Sequence, residues 1–394
     1  MQVLTIAREY GAGGGALARQ LASSTGWQLW DRELLHEAAR VENVPDAAIE
    51  RLDEQAVTLA DRLRLHPPHH QYLRGLTEAV QQAARRGQVI LLGRGAAHLL
   101  AGVDGCLHVR LVAPAPWRAA RMAQREGCTP DAALARCTAM DRARRQFHRY
   151  FFGDAADQPA QFDLVANTAR MPLDVLAATI GDLVTSAAPP AGPARAGQPV
   201  LTLARELGAG DRGFAPPLAE QLGLDVVDRD LLEEEARRLG IALANLEKID
   251  ERPARLFQRF HPGSVHHRYV QTLGQLMCEH AGRGRVLLMG RGGFRFLQHV
   301  AQAFHVRLVA AMPTRVRRVM EYHWVREGVA RKLIARSDAQ RSSFCRDCFG
   351  ADWTSPLEYH ITVNSGRLGA TAVDLVAAAA TRFWAQLPSA PSRL

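Results

Sequence analysis

The residues best suited to chemistry in this chain are glycines and arginines. Near the N-terminus, Arg8-Glu9-Tyr10-Gly11-Ala12-Gly13-Gly14-Gly15 follows the apolar run Val3–Ala7 and leads into a helical pattern from Ala16. A glycine-rich turn between a strand and a helix lets backbone N–H groups converge on a phosphate, and the helix N-terminus adds its positive end. Further along come Asp31-Arg32, Gly93-Arg94-Gly95, and then Arg118, Arg121, Arg144 and Arg149 in helical stretches. Guanidinium suits phosphate because its planar fork grips two oxygens and stays charged when desolvated. The combination points to phosphate-handling chemistry.

Each of these features occurs twice. Leu4-Thr5-Ile6-Ala7-Arg8-Glu9 returns as Leu201-Thr202-Leu203-Ala204-Arg205-Glu206, and Asp31-Arg32-Glu33-Leu34-Leu35 as Asp228-Arg229-Asp230-Leu231-Leu232. Gly93-Arg94-Gly95 returns as Gly290-Arg291-Gly292, His108-Val109-Arg110-Leu111-Val112 as His305-Val306-Arg307-Leu308-Val309, and Asn167 as Asn364. All pairs share one offset of 197 residues, as 31 and 228 or 167 and 364 do. So long a period means duplicated domains, not a solenoid. Three prolines and two glycines in 187–198 deny that stretch a helix or strand, so it reads as a linker. The expected division is a first copy at 1–186, the linker, a second copy at 199–386 and a frayed tail at 387–394.

Alternating strand and helix patterns would position these groups. In copy one, β-rich runs fall at Val3–Ala7, Gln28–Trp30, Val89–Gly93, Leu107–Val112 and Phe162–Ala166, with helical patterns at Ala16–Ser24, Gln71–Arg86 and Trp117–Glu126 between them. Copy two repeats the strands at Val200–Ala204, Val226–Val227, Val286–Gly290, Phe304–Val309 and Tyr359–Val363. Strands separated by helices imply βαβ units and a parallel sheet, so each copy predicts an α/β domain of five strands.

Composition narrows the function classes. A chain of 394 residues, 47% apolar, can bury two cores. No apolar run reaches the roughly 18 residues that a membrane span needs. The opening Met1-Gln2-Val3-Leu4-Thr5 lacks a secretion-signal layout, which predicts a cytoplasmic location. Six scattered cysteines include one close pair, Cys345-Arg346-Asp347-Cys348; zinc needs four ligands, so these read as reduced thiols. His69-His70-x-Tyr72 recurs as His266-His267-x-Tyr269, but adjacent histidines point to different helix faces, so no metal site is expected. The net charge of +9 is almost all arginine, Lys248 and Lys332 being the only lysines. It fits anionic nucleotides, nucleic acid or merely arginine-rich codon usage; no basic block or stacking aromatics support nucleic acid.

With these features in hand, the sequence resembles the cytidylate kinase-like family of P-loop nucleoside monophosphate kinases. The matching stretches are Thr5 to Gly14, Trp30-Asp31-Arg32-Glu33-Leu34, Leu92-Gly93-Arg94-Gly95 and Phe162 to Thr168, with Phe349-Gly350-Ala351-Asp352-Trp353 and Val363-Asn364-Ser365 in copy two. The resemblance implies a five-stranded parallel sheet, a phosphate loop, a monophosphate pocket and an arginine-bearing lid in each copy. It assigns Arg8, Gly11, Gly13, Gly14 and Gly15, and Arg205, Gly208, Gly210, Arg212 and Gly213, to the phosphate loops. It assigns Asp31, Arg32 and Arg94, with Asp228, Arg229 and Arg291, to the monophosphate side. The lid would span Asp141–Gly153 and carry the catalytic Arg144 and Arg149, recurring as Arg341 and Arg346. ATP would be the donor, with Mg2+ carried by the nucleotide. From the residues alone, Asp31 also reads as a helix cap and Arg144 with Arg149 as a solvated face.

The departures lie in the phosphate loops. A full P-loop reads GxxxxGK[ST], the lysine reaching the β/γ-phosphates and the hydroxyl the magnesium. Gly14 and Gly15 stand at those two places, and copy one contains no lysine at all. Copy two has Asp211 and Arg212 there, with Pro216 and Pro217 crowding the helix start, and a proline past the first turn costs roughly 3 kcal/mol. The resembled family tolerates losing the lysine. The leading expectation is an ATP-dependent phosphotransferase acting on a pyrimidine monophosphate such as CMP. A non-catalytic nucleotide sensor or scaffold, its copies held as a pseudo-dimer, is the alternative, and a basic nucleic-acid binder the lesser one.

Overall fold

In the computed structural model, described residues are 1–31, 68–93, 95–186, 199–210, 213–228 and 265–388. The chain divides into two compact units, Met1–Ala188 and Pro189–Leu394.

In the first unit the apolar runs become strands β1 (Val3–Arg8), β2 (Gln28–Trp30), β3 (Val89–Leu92), β4 (Cys106–Val112) and β5 (Leu164–Asn167). All pair in parallel, in the order β2-β3-β1-β4-β5. The continuous burial of β3 and β5 explains why these strands read as unbroken apolar runs: both faces of the sheet are covered. The covering helices are α1 (Gly14–Thr25), α2 (Pro68–Arg86), the short α3 (Ala96–Leu99), α4 (Ala115–Glu126), α5 (Pro130–Phe152) and α6 (Leu173–Thr185). Helix α2 lays Leu76, Ala79, Val80 and Ala83, one helical stripe, against Val89 and Leu91 of β3.

The second unit repeats the plan with β6 (Val200–Arg205), β7 (Asp225–Val227), β8 (Val286–Met289), β9 (Ala303–Val309) and β10 (Ile361–Asn364). These too are parallel, ordered β7-β8-β6-β9-β10. Its helices, among the described residues, are α7 (Ala215–Leu222), α8 (Val265–Arg283), α9 (Gly293–Phe296), α10 (Met312–His323), α11 (Glu327–Phe349), α12 (Ser365–Leu368) and α13 (Thr371–Ala385). Tyr269, Leu273, Leu276 and Met277 of α8 form the stripe over β8.

Three local differences from the sequence expectation have physical causes. The last strand of each unit starts late because a side chain takes the place of a ladder bond. His108 N–H donates to the Asp163 carboxylate at 2.6 Å, and His305 N–H to His360 Nδ1 at 2.9 Å. The stretch from Asp141 onwards is no separate segment but the C-terminal half of α5, a 23-residue helix capped by Thr129, whose hydroxyl accepts from Ala132 N–H at 3.3 Å. Finally, α1 starts at Gly14 whereas α7 starts at Ala215, four residues past the equivalent position 211. Pro216 and Pro217 therefore sit in the first turn of α7, where no helix carbonyl awaits an N–H, and escape the expected interior penalty.

The Gly-Arg-Gly turn after the third strand has left-handed backbone, with φ 75°, 50° and 75° at Gly290, Arg291 and Gly292. A Cβ on Gly292 would stand 2.4 Å from Cε2 of Phe349, at the end of α11, whereas one on Gly290 would meet nothing. In the first unit a Cβ on Gly95 would likewise reach Phe152 at 2.6 Å, but there the first glycine of the turn, Gly93, is itself crowded by Arg8. Gly290→Ala should therefore lose about 1 kcal/mol, for backbone alone, and Gly292→Ala about 3 kcal/mol, for backbone plus overpacking. Urea denaturation of the two variants decides; equal losses would mean the phenylalanine yields without cost.

Candidate functional site

In both units the arginine that ends the first strand lines a cavity together with the glycine turn after the third strand. In the first unit, the chain leaving β1 turns through Gly11 (φ 82°) and Gly13 (φ 90°), and Gly13 caps α1. The N–H groups of Gly14 and Gly15 lie in the first turn of that helix and have no helix carbonyl to bond. A side chain on Gly15 would have room, its Cβ meeting only the Arg19 guanidinium at 3.6 Å. Gly14 is different, since a Cβ there would press on Cγ of Arg8 at 2.9 Å. Arg8 continues past it to Gly93, where a Cβ would fall 1.6 Å from the guanidinium, and ends 3.9 Å from the carboxylate of Asp31. Glycine at 14 and 93 thus makes the channel in which Arg8 lies.

A buried ion pair fixes this loop from beneath. Arg118, 5% exposed, donates from Nε to the Ala113 carbonyl (2.8 Å), and from Nη1 to the Tyr10 carbonyl (2.7 Å) and Asp141 Oδ2 (2.7 Å). Asp141 Oδ1 accepts the Tyr10 N–H at 2.8 Å, so one carboxylate holds both the loop and the arginine. Glu9 lies 3.5 Å from Arg118 and accepts Ala113 N–H; burial, working against that bond, pushes its carboxyl above the usual range. The second unit repeats the clasp. Arg315 donates to the Leu207 carbonyl (2.8 Å) and to both oxygens of Asp338 (2.8 Å), with Glu206 at 3.5 Å.

Above the loop, each unit has a cavity between the strand ends, the glycine turn and the long helix. In the first unit it measures about 140 Å³ and is lined by Arg8, Gly93, His98, Arg144 and His148 among others. Arg144 donates to the Arg8 carbonyl at 3.1 Å and lies 5.7 Å from the Tyr10 ring; burial lowers its pKa. The corresponding cavity of the second unit measures about 160 Å³ and is lined by Arg205, Arg291, Arg341, Phe294, Phe344 and Trp353 among others. Arg341 bonds the Ser337 hydroxyl and stands 5.9 Å from the Trp353 ring.

The structure does not bring the remaining lid arginines to these cavities. Arg149 has a 75% exposed side chain and pairs with Asp154 at 2.5 Å; Arg346 is likewise exposed. Five residues along a helix turn a side chain about 140° away, so Arg144 and Arg149 face different directions. Asp228 is exposed at the end of β7. Arg32, Arg94, Arg212 and Arg229, with Asp211, lie outside the described residues, as do the side chains of the paired histidines and the segment read as a linker.

One group went unnoticed in the sequence. His148, one helical turn beyond Arg144, faces the first cavity, its Nδ1 2.9 Å from Asp157, and Arg110 pairs with the same carboxylate. Burial works to raise the Asp157 carboxyl, but the His148 hydrogen bond and the Arg110 charge outweigh it and hold it well below the usual range. His98 lies 5.5 Å from His148 and 4.7 Å from Phe152; burial, helped by His148, lowers it to about 4. The spacing 141, 144, 148 is a helical stripe and could have revealed His148. In the second unit the equivalents of His98, His148 and Asp157 are Arg295, Cys345 and Thr354, so the imidazoles are absent; burial pushes the Cys345 thiol up to about 12.

The chain has known relatives. The sequence profile of the cytidylate kinase-like family matches residues 3–170 and again 200–367. A cytidylate kinase of Halobacterium salinarum (strain ATCC 29341 / DSM 671 / R1) is 30% identical over 132 residues, 34% of this chain and 69% of that protein. Among solved structures, an uncharacterised protein from Eubacterium ventriosum ATCC 27560 superposes with a TM-score of 0.38 at 21% identity, covering 46% of this chain and 96% of its own. A shikimate kinase from Bacteroides thetaiotaomicron gives 0.31 at 11% identity, covering 47% and 98%.

Two outcomes follow from the geometry. Arg118→Leu leaves Asp141 buried without its cation and should destabilise the first unit by about 3–5 kcal/mol, read by urea denaturation. His98 is neutral in the fold and has an ordinary pKa near 6.5 once unfolded. The unfolded chain therefore gains the proton first, and the His98 contribution, complete above about pH 6.5, is lost as pH falls towards 4. Between pH 7 and 5 the loss should be about 2 kcal/mol, and His98→Leu should remove that difference. An unchanged pH slope in the variant would reject it.

Proposed function

The chain belongs to the cytidylate kinase-like family through both of its copies, and on that premise we propose that its first copy is an ATP-dependent phosphotransferase acting on a pyrimidine nucleoside monophosphate such as CMP. The observation that carries this reading is the meeting of Arg8 and Arg144 between the glycine loop and the cavity. Arg144, held on the Arg8 carbonyl, would thereby serve both the side where a donor phosphate would sit and the side where an acceptor would.

The residues suit a nucleoside triphosphate without lysine. Gly13, Gly14 and Gly15 offer first-turn N–H groups and an open approach at Gly15. Positive charge comes from Arg121, whose Nη1 would stand 3.3 Å from a Cβ on Gly13. ATP, the expected donor, supplies the transferable phosphoryl group together with its own Mg2+. The protein's task is then alignment and charge neutralisation, for phosphoryl transfer needs little covalent help. Arg144 would hold the phosphate between donor and acceptor, its position fixed by the Arg8 carbonyl and the Tyr10 ring. Asp31, 3.9 Å from the Arg8 guanidinium, would with it wall the acceptor side and accept from a sugar or base group. His148, oriented by Asp157, adds a polar end to the cavity.

Coupled ADP release with CMP, UMP and dCMP tests the reading, and turnover with at least one is expected. No turnover with any nucleotide, in a preparation shown to be folded, rejects it. Arg144→Gln should lower kcat by about 100-fold or more while changing stability little, since removing one donor aimed at transition-state charge has that order of effect.

A further inference from the structure

Each unit carries a helical hairpin after its fourth strand, but the tip of that hairpin has different chemistry in the two. In the second unit α10 and α11 pack through Val316, Val319, Ala330 and Ile334, and Trp324 to Arg326 join them. Helix α10 ends on Trp324, whose backbone is left-handed (φ 53°, ψ 44°) and whose N–H donates to the Met320 carbonyl. The first unit ends α4 in the same way on Gly127, at φ 64° and ψ 33°, with its N–H on the Ala123 carbonyl. Glycine takes that conformation freely, whereas a residue with a bulky side chain is strained in it. The second unit thus keeps a cap that suits glycine and puts an indole on it.

That indole is 93% exposed. Its neighbour holds it outward: Val325 packs inward on the hairpin core, and the Val325 N–H also reaches the Met320 carbonyl, at 3.3 Å. Tyr322, 42% exposed, and Val329, 47% exposed, lie just before and just after it. The first unit has Arg125, Gly127 and Ala132 at these three places. Large apolar groups left in water at a strained turn add nothing to the core, which points to contact with something outside the chain.

Charge and shape select that contact. At the tip Arg326, Arg331 and Lys332 outnumber Glu321 and Glu327, and Glu327 is taken up by Arg331 at 2.8 Å. Arg326 and Lys332 are both exposed. Positive charge opposes a face-to-face contact with a second copy and favours an anionic surface, as the net charge of +9 does. The Tyr322 and His323 rings stand at 87° to each other, so they offer no parallel faces to successive bases of a nucleic-acid strand. A tip with an amphipathic ring at its apex and cations beside it needs no pocket to receive it. It fits a deformable layer of anionic headgroups, the depth at which tryptophan and tyrosine rest.

We propose that the tip between α10 and α11 is a peripheral membrane contact, Trp324 and Tyr322 entering the headgroup layer of an anionic bilayer while Arg326 and Lys332 meet its phosphates. The second unit then tethers the chain to a lipid surface. This contact does not depend on the function proposed above.

Flotation of the full chain with lipid vesicles tests the proposal. Vesicles of equal parts phosphatidylcholine and phosphatidylserine should bind it, and phosphatidylcholine alone at least tenfold more weakly. Trp324→Gly gives the tip the residue of the first unit and relieves the backbone strain. It should weaken vesicle binding tenfold or more with an unchanged or higher urea midpoint. Arg326→Gln combined with Lys332→Gln should also weaken binding, and added salt should do the same to the unaltered chain. No binding to the anionic vesicles, or binding that Trp324→Gly leaves intact, overturns the proposal. Self-association or single-stranded RNA binding that needs Trp324, in a chain that ignores the vesicles, assigns the tip to that partner and overturns it equally.

Discussion

A guanidinium sealed away from water is an expensive thing to build a site on. Desolvating Arg118 costs several kcal/mol, recovered only if every direction of the fork finds an acceptor. Nε and Nη1 find theirs in the Ala113 and Tyr10 carbonyls and Asp141, and Arg315 makes a similar set of bonds to Leu207 and Asp338. Because these acceptors come from β1's exit, the end of β4 and the long helix, one charge fixes three pieces of chain at once. The glycine loop, the cavity and Arg144 all take their positions from it.

Around that shared anchor the copies have gone separate ways. Arg110 pairs with Asp157 in the first unit, while Arg307 turns to Glu206 and to the Trp353 ring at 5.1 Å in the second. A change at one such position alters the partner needed at the next. His148 with Asp157 is a self-consistent pair, as is Cys345 beside Trp353, but an exchange of single residues between them would leave a carboxylate or an imidazole without its counterpart. The polar wall of one cavity and the aromatic wall of the other are thus each a set.

Most of the architecture was legible in the sequence because parallel strands buried on both faces leave uninterrupted apolar runs, as Val89–Leu92 and Val286–Met289 do. The 197-residue repeat then made each strand vouch for its counterpart. Of the candidate site, the glycine turn after β1 could be read from its place between a strand and a helix, whereas Arg144 came only with the family resemblance and read from the residues alone as part of a solvated face. His148 and Asp157 could not: the pair joins a helix to the loop beyond it, and its partner Arg110 comes from a strand 47 residues earlier. Nor could the sequence tell that Pro216 and Pro217 displace a helix start instead of breaking a helix. That outcome depends on where the chain can first satisfy its carbonyls, a tertiary question.

The double grip of Asp141 has a mechanical corollary. A carboxylate that holds both the Tyr10 N–H and Arg118 pins α5 at mid-length to the floor of the site, leaving Asp141 to Phe152 as a lever of about 17 Å beyond the fulcrum. Any closure over the cavity must swing that arm as a stiff rod. The residues that travel furthest are then Phe147, His148 and Phe152, not the arginine nearest the pivot.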